Sequence, residues 1–173
     1  MKTIFLSIIA ALAFAHLAQA EDVTVKITDV HLCCPSCVKG VNNAVKGIDG
    51  IKATADQETK VVEITGPDTA TVQKAADALV KAGYFGKSSD ASIKINASTG
   101  AEGEKVKSLK VEGVHLCCAK CVKALNAALK DVPGVTTNDA VKNAKVFTVT
   151  GDFKDTDVFT ALQNAGLTGK VRE

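Results

Sequence analysis

The chain has no tryptophan, and its one methionine is Met1. A soft-donor site built on thioether sulfur is therefore excluded, and any soft donors must be thiols. Charge of one sign is also missing. The chain carries 21 Lys and Arg against 19 Asp and Glu, interspersed, for a formal charge of +2. With no basic stripe, nucleic-acid binding is excluded. Past residue 20 there is no apolar run that could cross a bilayer. A nucleophile elbow, a Gly-rich phosphate loop and a recognisable pair of carboxylates are all lacking. Of the three prolines, Pro67 sits at a helix start and Pro133 at a helix end. Neither stands where a thioredoxin-like fold places a cis bond facing its thiols.

What the sequence does have is sulfur, and all of it in two places. The string His-Leu-Cys-Cys-x-x-Cys runs from His31 to Cys37 and again from His115 to Cys121, and the two copies hold all six cysteines. Thiols used for packing would be scattered, and a disulfide framework would be spread along the chain. Two identical local clusters point to a soft-metal site or a redox pair.

Residues 1–20 read as a secretory signal. Lys2 gives the positive start, Ile4 to Ala15 an apolar run, and Ala18-Gln19-Ala20 the small residues before a cut expected ahead of Glu21. The run is too short for a membrane span. No cysteine follows the cut, so no membrane anchor is expected after cleavage. Cleavage removes Lys2 as its only formal charge, leaving a nearly neutral chain of about 150 residues, enough for one domain or two small ones. Export to the periplasm or beyond is oxidising, yet three cysteines per cluster cannot all pair within it. One is left over each time, or the trio is held reduced, for instance by a metal.

The chain also repeats itself at a spacing of about 84 residues. Gly50 matches Gly134, Ile64-Thr65-Gly66 matches Val149-Thr150-Gly151, and Ala82 to Lys87 matches Ala165 to Lys170. Each copy opens on an alternating strand (Val23, Val25 and Ile27; Leu109 and Val111) followed by the cysteine loop. A helix comes next, with Val38, Val41, Val45 and Ile48 in one copy and Val122, Leu125, Leu129 and Val132 in the other. Pro35 suits the first turn, and Gly50 and Gly134 end the segment. A hairpin follows (51–55 with 61–64; 135–137 with 146–149), then a second helix (Val72, Ala75, Ala76 and Leu79; Val158, Phe159 and Leu162) and a short last strand. The order β-α-β-β-α-β predicts an α+β fold, two ferredoxin-like sandwiches in tandem. The expected organisation is a signal over 1–20, a first domain over 21–88, a linker over 89–105 and a second domain over 106–173. Within the linker, 92–95 is the one strand-like fragment; it either extends the last strand of the first unit or pairs with nothing.

A β-α-β-β-α-β unit of about 70 residues with Cys-x-x-Cys between its first strand and first helix resembles the heavy-metal-associated domain. That family includes bacterial copper chaperones, periplasmic mercury-binding proteins and the metal-binding repeats of P-type ATPases. The resemblance covers both units. It implies that Cys34 and Cys37, and Cys118 and Cys121, are metal ligands. Against the family's Gly-Met-x-Cys-x-x-Cys, Leu32 and Leu116 fall on the buried Met and His31 and His115 on the Gly. Cys33 and Cys117 fall on the variable residue. Tyr84 falls where bacterial copper chaperones are similar in carrying Tyr, and Leu167 departs from that pattern.

The thiol chemistry fits. Two sulfurs straddling a helix start sit beside unpaired N–H groups and the positive end of the dipole, which favour thiolate. Two thiolates suit Cu(I), the favoured ion, in a site open to ligand exchange. Cys33 and Cys117, with His31 and His115 near, make sets that Zn²⁺ or Cd²⁺ would also accept, and Hg²⁺ is a further alternative. Adjacent cysteines on an extended loop are expected to point apart, so the spacing alone leaves two alternatives, Cys33 as a ligand beside Cys34 or as a small buried residue. Lys39 and Lys123 read as solvated helix lysines. The expectation is an exported, non-enzymatic protein that buffers or transfers a thiophilic ion to a metal-transporting ATPase or another metal-binding protein. The alternative is an exported thiol–disulfide oxidoreductase using the Cys-x-x-Cys pairs. A third reading has the cysteines pairing between units, as in a Cys33–Cys117 bridge.

Overall fold

The computed structural model describes residues 21–172. The signal segment expected over residues 1–20 lies outside the described residues. Two units of the same topology follow one another. In the first, β1 (Val23–Thr28), α1 (Pro35–Val45), β2 (Lys52–Asp56), β3 (Val61–Gly66), α2 (Thr69–Lys81) and β4 (Lys87–Ser88) form a sheet in the order β2-β3-β1-β4. In the second, β5 (Lys105–Glu112), α3 (Ala119–Lys130), β6 (Val135–Asn138), β7 (Val146–Lys154), α4 (Asp155–Asn164) and β8 (Lys170–Val171) give β6-β7-β5-β8. Every strand pairing is antiparallel.

Strand alternation sets the sheet faces. Val25 and Ile27 on β1 stand opposite Ile64 and Val62 on β3, and all four are buried. In the second unit Leu109 and Val111 stand opposite Val149 and Phe147. The helices supply the other half of each core. The buried stripe of α1 is Cys37, Val41 and Val45, and that of α3 is Cys121, Leu125 and Leu129. The stripe thus begins on the last cysteine of the motif and not on Val38 or Val122, which are half-buried. Leu32 and Leu116 are buried beneath the cysteine loops, as plugs. Each fully buried aliphatic side chain of this kind contributes about 1.5–3 kcal/mol, so the loops are well anchored from below.

The second sheet is longer than its sequence pattern indicates. β5 and β7 continue to a Lys105–Lys154 pair, through irregularities at Val106/Ser108 and Val135/Thr137. A two-residue period breaks at a bulge, so this extension could not be read from alternation. Segment 92–95 forms no strand with a neighbour. Ile93 is buried instead, and the Gln73 side-chain amide both donates to the Lys94 carbonyl and accepts from its N–H, each at 2.8 Å. Further on, the buried carboxylate of Asp155 accepts from the N–H groups of Glu102 (3.0 Å), Gly103 (2.8 Å) and Thr156 (2.6 Å). The segment joining the units is thus pinned to both.

The units also meet directly, at equivalent corners. Tyr84 and Leu167 form an antiparallel bridge. The N–H groups of His31 and Phe85 donate to the Gly166 carbonyl, and that of Thr168 donates to the Gly83 carbonyl, all at 3.1 Å. Gly83 and Gly166 have φ of +87° and +75°. A Cβ on Gly166 would press on Asp29 O, on His31 N at 2.5 Å and on Val30 C at 3.0 Å; one on Gly83 would meet the corresponding backbone of Gly113 to His115. Only glycine permits so close a backbone approach at that φ.

Candidate metal centre

Each cysteine loop ends on a helix N-cap. Cys34 (φ −164°, ψ 164°) caps α1, and Cys118 (φ −151°, ψ 170°) caps α3. Ser, Thr, Asp or Asn usually fills this position and accepts from the first turn. Neither cysteine makes such a bond, which leaves both sulfurs free, and neither helix has an acidic residue in its first turn. The Cys37 and Cys121 amides bond back to the carbonyls of Cys34 (2.9 Å) and Cys118 (3.1 Å). This turn folds Cys37 beneath Cys34, and Cys121 beneath Cys118. The docked corners then bring the two loops face to face.

The six sulfurs come together as one cage. Cys33 Sγ lies 3.7 Å from Cys37, 3.5 Å from Cys118 and 3.5 Å from Cys121. Cys117 Sγ lies 3.8, 3.6 and 3.7 Å from Cys34, Cys37 and Cys121. The pairs Cys34–Cys37, Cys118–Cys121 and Cys37–Cys121 are at 3.7, 3.7 and 3.8 Å. The pairs Cys33–Cys34, Cys34–Cys118 and Cys117–Cys118 lie within 4.8 Å. What remains is Cys33 with Cys117, Cys34 with Cys121, and Cys37 with Cys118. These pairs share no residue, so each sulfur is close to every other sulfur but one. That is the connectivity of an octahedron, with the three leftover pairs as its diagonals. Adjacent Cys33 and Cys34 belong to one face, against the expectation that they point apart. All six thiols are free; Cys37 and Cys121 are buried and the other four are half-buried.

The geometry constrains what the cage can bind. A metal–sulfur bond of about 2.3 Å puts donors about 3.8 Å apart around a tetrahedral ion and about 4.0 Å apart around a trigonal one. The observed separations fit such an ion. Among the described residues the clusters close enough to ligate include the triads Cys33/Cys34/Cys118, Cys34/Cys37/Cys117 and Cys117/Cys118/Cys121. Any four vertices of an octahedron include a diagonal, so the cage offers three-sulfur faces and no tetrahedral four-sulfur set.

Protonation follows from crowding. Cys37 is held well below the ordinary thiol range, first by the Cys121 thiol donating to it and then by His115. Cys121, as the donor, is correspondingly pushed up. Burial raises Cys33 to about 12, and Cys117 is raised for the same reason. At Cys118 burial also opposes ionisation, but the Cys121 amide and neighbouring thiols outweigh it and lower the pKa to about 6. The cage therefore ionises readily at Cys37 and Cys118 and resists at Cys33, Cys117 and Cys121, so a cation must expel protons to fill it.

The two histidines of the repeated motif have different roles. Tyr84 is buried; its hydroxyl donates to the Cys37 carbonyl at 2.8 Å and bonds His115 Nε2 at 3.0 Å, with the two rings stacked at 4.4 Å. Gly40 makes room for this pair, since a Cβ there would lie against Tyr84 Oη and 2.8 Å from His115 Cε1. Leu167 has no hydroxyl to offer in the other unit. His31 Nε2 is buried without a hydrogen-bond partner among the described residues, and burial lowers its pKa. His31 also forms a close triad with Cys33 and Cys121. Lys39 and Lys123 are exposed. Asp155 and Gly40 were invisible to motif reasoning: one is a single Asp at a helix start, the other a helical glycine.

Two ferredoxin-like units whose loop-to-helix thiols converge on one sulfur cage define a thiol-rich metal-binding protein. No family model matches the chain. A curated relative, Copper-transporting ATPase 2 of Rhizobium meliloti (strain 1021), is 31% identical over 143 residues, covering 78% of this chain. The match spans only 15% of that ATPase. Among solved structures, a copper binding domain from HMA7, a P-type ATPase, gives a TM-score of 0.36 at 24% identity, and the PacS N-terminal domain from Synechocystis PCC6803 gives 0.36 at 19%. They cover 39% of this chain each, and 96% and 100% of their own. The N-terminal soluble domains of Bacillus subtilis CopA cover 88% of this chain and 95% of theirs, at 0.34 and 15% identity. Both units resemble the heavy-metal-associated domain, in tandem; the likeness rests on the sequence match, the topology and the position of Cys-x-x-Cys.

Proposed function

We propose that the chain is an exported, periplasmic or secreted, non-enzymatic carrier that buffers or transfers Cu(I) through its Cys-Cys-x-x-Cys thiolates. The observation that carries this reading is the six-sulfur cage with three-sulfur faces and no four-sulfur tetrahedron. Thiolate softness alone admits several ions, but a four-sulfur tetrahedron is what Zn²⁺ prefers. Cu(I) is satisfied with fewer donors, so the geometry favours it over Zn²⁺ and Cd²⁺. The copper-transporting relative points the same way. The delivery partner is then a metal-transporting ATPase or another thiol-based metal-binding protein, which takes the ion by ligand exchange at the half-buried sulfurs.

The test is anaerobic elemental analysis of the reduced protein after exposure to equal concentrations of Cu(I), Zn²⁺, Cd²⁺ and Hg²⁺. Copper as the retained metal supports the reading. Retention of another ion, or of none, sinks it. Turnover of a disulfide substrate by the metal-free protein would favour the oxidoreductase instead. Export is checked by N-terminal sequencing of the protein recovered outside the inner membrane, with Glu21 expected as the first residue.

A further inference from the structure

We infer that the two units together hold one polynuclear Cu(I)–thiolate cluster, four Cu(I) on six bridging cysteines, and not one ion per Cys-x-x-Cys motif. The inference rests on the Cu(I) reading above, and its starting point is the connectivity of the sulfurs. An octahedron has two sets of four alternating faces. One set here is Cys33/Cys34/Cys118, Cys34/Cys37/Cys117, Cys117/Cys118/Cys121 and Cys33/Cys37/Cys121. The first three are close triads, and the fourth has edges of 3.7, 3.5 and 3.8 Å. Each cysteine belongs to two faces of the set, so each sulfur bridges two ions and each ion has three sulfurs. None of the six is left over, which accounts for the extra cysteine in each motif. Three of the four faces draw on both units and the fourth, Cys117/Cys118/Cys121, lies within the second, so neither unit could build the set alone.

Charge and protons balance. Four Cu(I) bind six thiolates, the protons still on the thiols leave to solvent, and the filled cage carries two negative charges. No carboxylate occupies the first turn of α1 or α3, and both positive helix ends face the sulfurs through the N-cap cysteines. The cluster's charge is thus met by the two helix termini. No change of oxidation state is involved.

The test is titration of the full, reduced chain with Cu(I) against a chromophoric Cu(I) chelator, with X-ray absorption on the loaded sample. Four coppers per chain, taken up together and with Cu···Cu scattering, are expected. One or two coppers without Cu···Cu scattering overturn the cluster but leave the carrier reading standing. No copper retained overturns both. Two double variants, each lacking two thiols, separate geometry from simple donor number. Cys33→Ser with Cys117→Ser removes a diagonal and leaves a ring of four sulfurs with no three-sulfur face, so retention should fall from four coppers to two. Cys34→Ser with Cys118→Ser leaves Cys33, Cys37, Cys117 and Cys121, whose two faces share the Cys37–Cys121 edge, so Cu···Cu scattering should persist. Circular dichroism of each variant confirms that it has folded. Identical copper content and scattering in the two folded variants would overturn the octahedral arrangement.

Discussion

A single methyl group placed on the docking corner should dismantle the cage. Gly166 has φ +75°, and a Cβ there would press on Asp29 O, His31 N and Val30 C, all backbone atoms that cannot rotate away. The left-handed conformation itself costs an alanine about 1 kcal/mol. Relieving the clash means backing the corner out, which breaks the three 3.1 Å hydrogen bonds between the units. At about 1 kcal/mol net apiece, Gly166→Ala weakens docking by about 3 kcal/mol beyond the backbone strain, a shift of about two orders of magnitude in the docking equilibrium. The matched control is Gly50→Ala. Gly50 also has φ +75°, but its Cβ would meet only Pro67 Cδ and Cγ, at 3.1 and 3.2 Å, away from the interface. It incurs the strain and spares the docking. The readout is built in, because Tyr84 is the one tyrosine, there is no tryptophan, and its ring is stacked on His115 from the second unit. Tyrosine emission and copper content should both change in Gly166→Ala and stay near wild type in Gly50→Ala. Should the two variants match in emission and in copper retained, the docked interface is not what assembles the site.

Other predictions concern stability. Tyr84→Phe deletes the hydroxyl that bonds the Cys37 carbonyl and His115 Nε2, and should lower unfolding free energy by about 1–3 kcal/mol in a urea titration. His115→Leu should destabilise the metal-free protein for the same reason, whereas His31→Leu, which removes an unpartnered buried nitrogen, should be neutral or stabilising; equal effects would contradict the asymmetry. Asp155→Ala strands the N–H groups of Glu102 and Gly103 and should cost about 1.5–3 kcal/mol, with protease cutting near residues 99–104 as a second readout. Asp68 caps α2 by accepting from the Thr71 N–H at 2.7 Å, and that bond lowers its pKa. A depressed carboxyl stabilises the fold above its ordinary titration range and loses that contribution as pH falls through the lowered value. Asp68→Asn, which still caps, should therefore flatten the acid limb of the stability curve and leave neutral stability nearly unchanged.

The repeated string, the glycines at matching offsets and the two hydrophobic periods predict the architecture because each is a local signal. The sheet orders β2-β3-β1-β4 and β6-β7-β5-β8 follow once the β-α-β-β-α-β order is known. What escaped detection was non-local or aperiodic. The bulge at Val106/Ser108 hides the extension of β5. Ile93 packs alone, outside any alternation, so the segment read as a linker gave no sign of being pinned. Asp155 looks like any acidic residue at a helix start until its buried contacts with Glu102 and Gly103 are visible.

The site divides along the same line. That Cys34 and Cys37, or Cys118 and Cys121, act together is written in their spacing. Which sulfur faces which across 80 or more residues is not, since it depends on the docking of Gly83 and Gly166 against the opposite loops. Read unit by unit, Cys33 and Cys117 are spare thiols and the two histidines are equivalent. Once the corners dock, Cys33 sits 3.5 Å from both Cys118 and Cys121 and stands apart from Cys117. A cross-unit Cys33–Cys117 bridge is then not favoured, because those two sulfurs are the ends of a diagonal. The histidines lose their equivalence to one difference in the repeat, Tyr84 against Leu167, which gives His115 a partner and leaves His31 facing Cys33 and Cys121. Duplication supplied two half-sites, and the asymmetric corner makes them one.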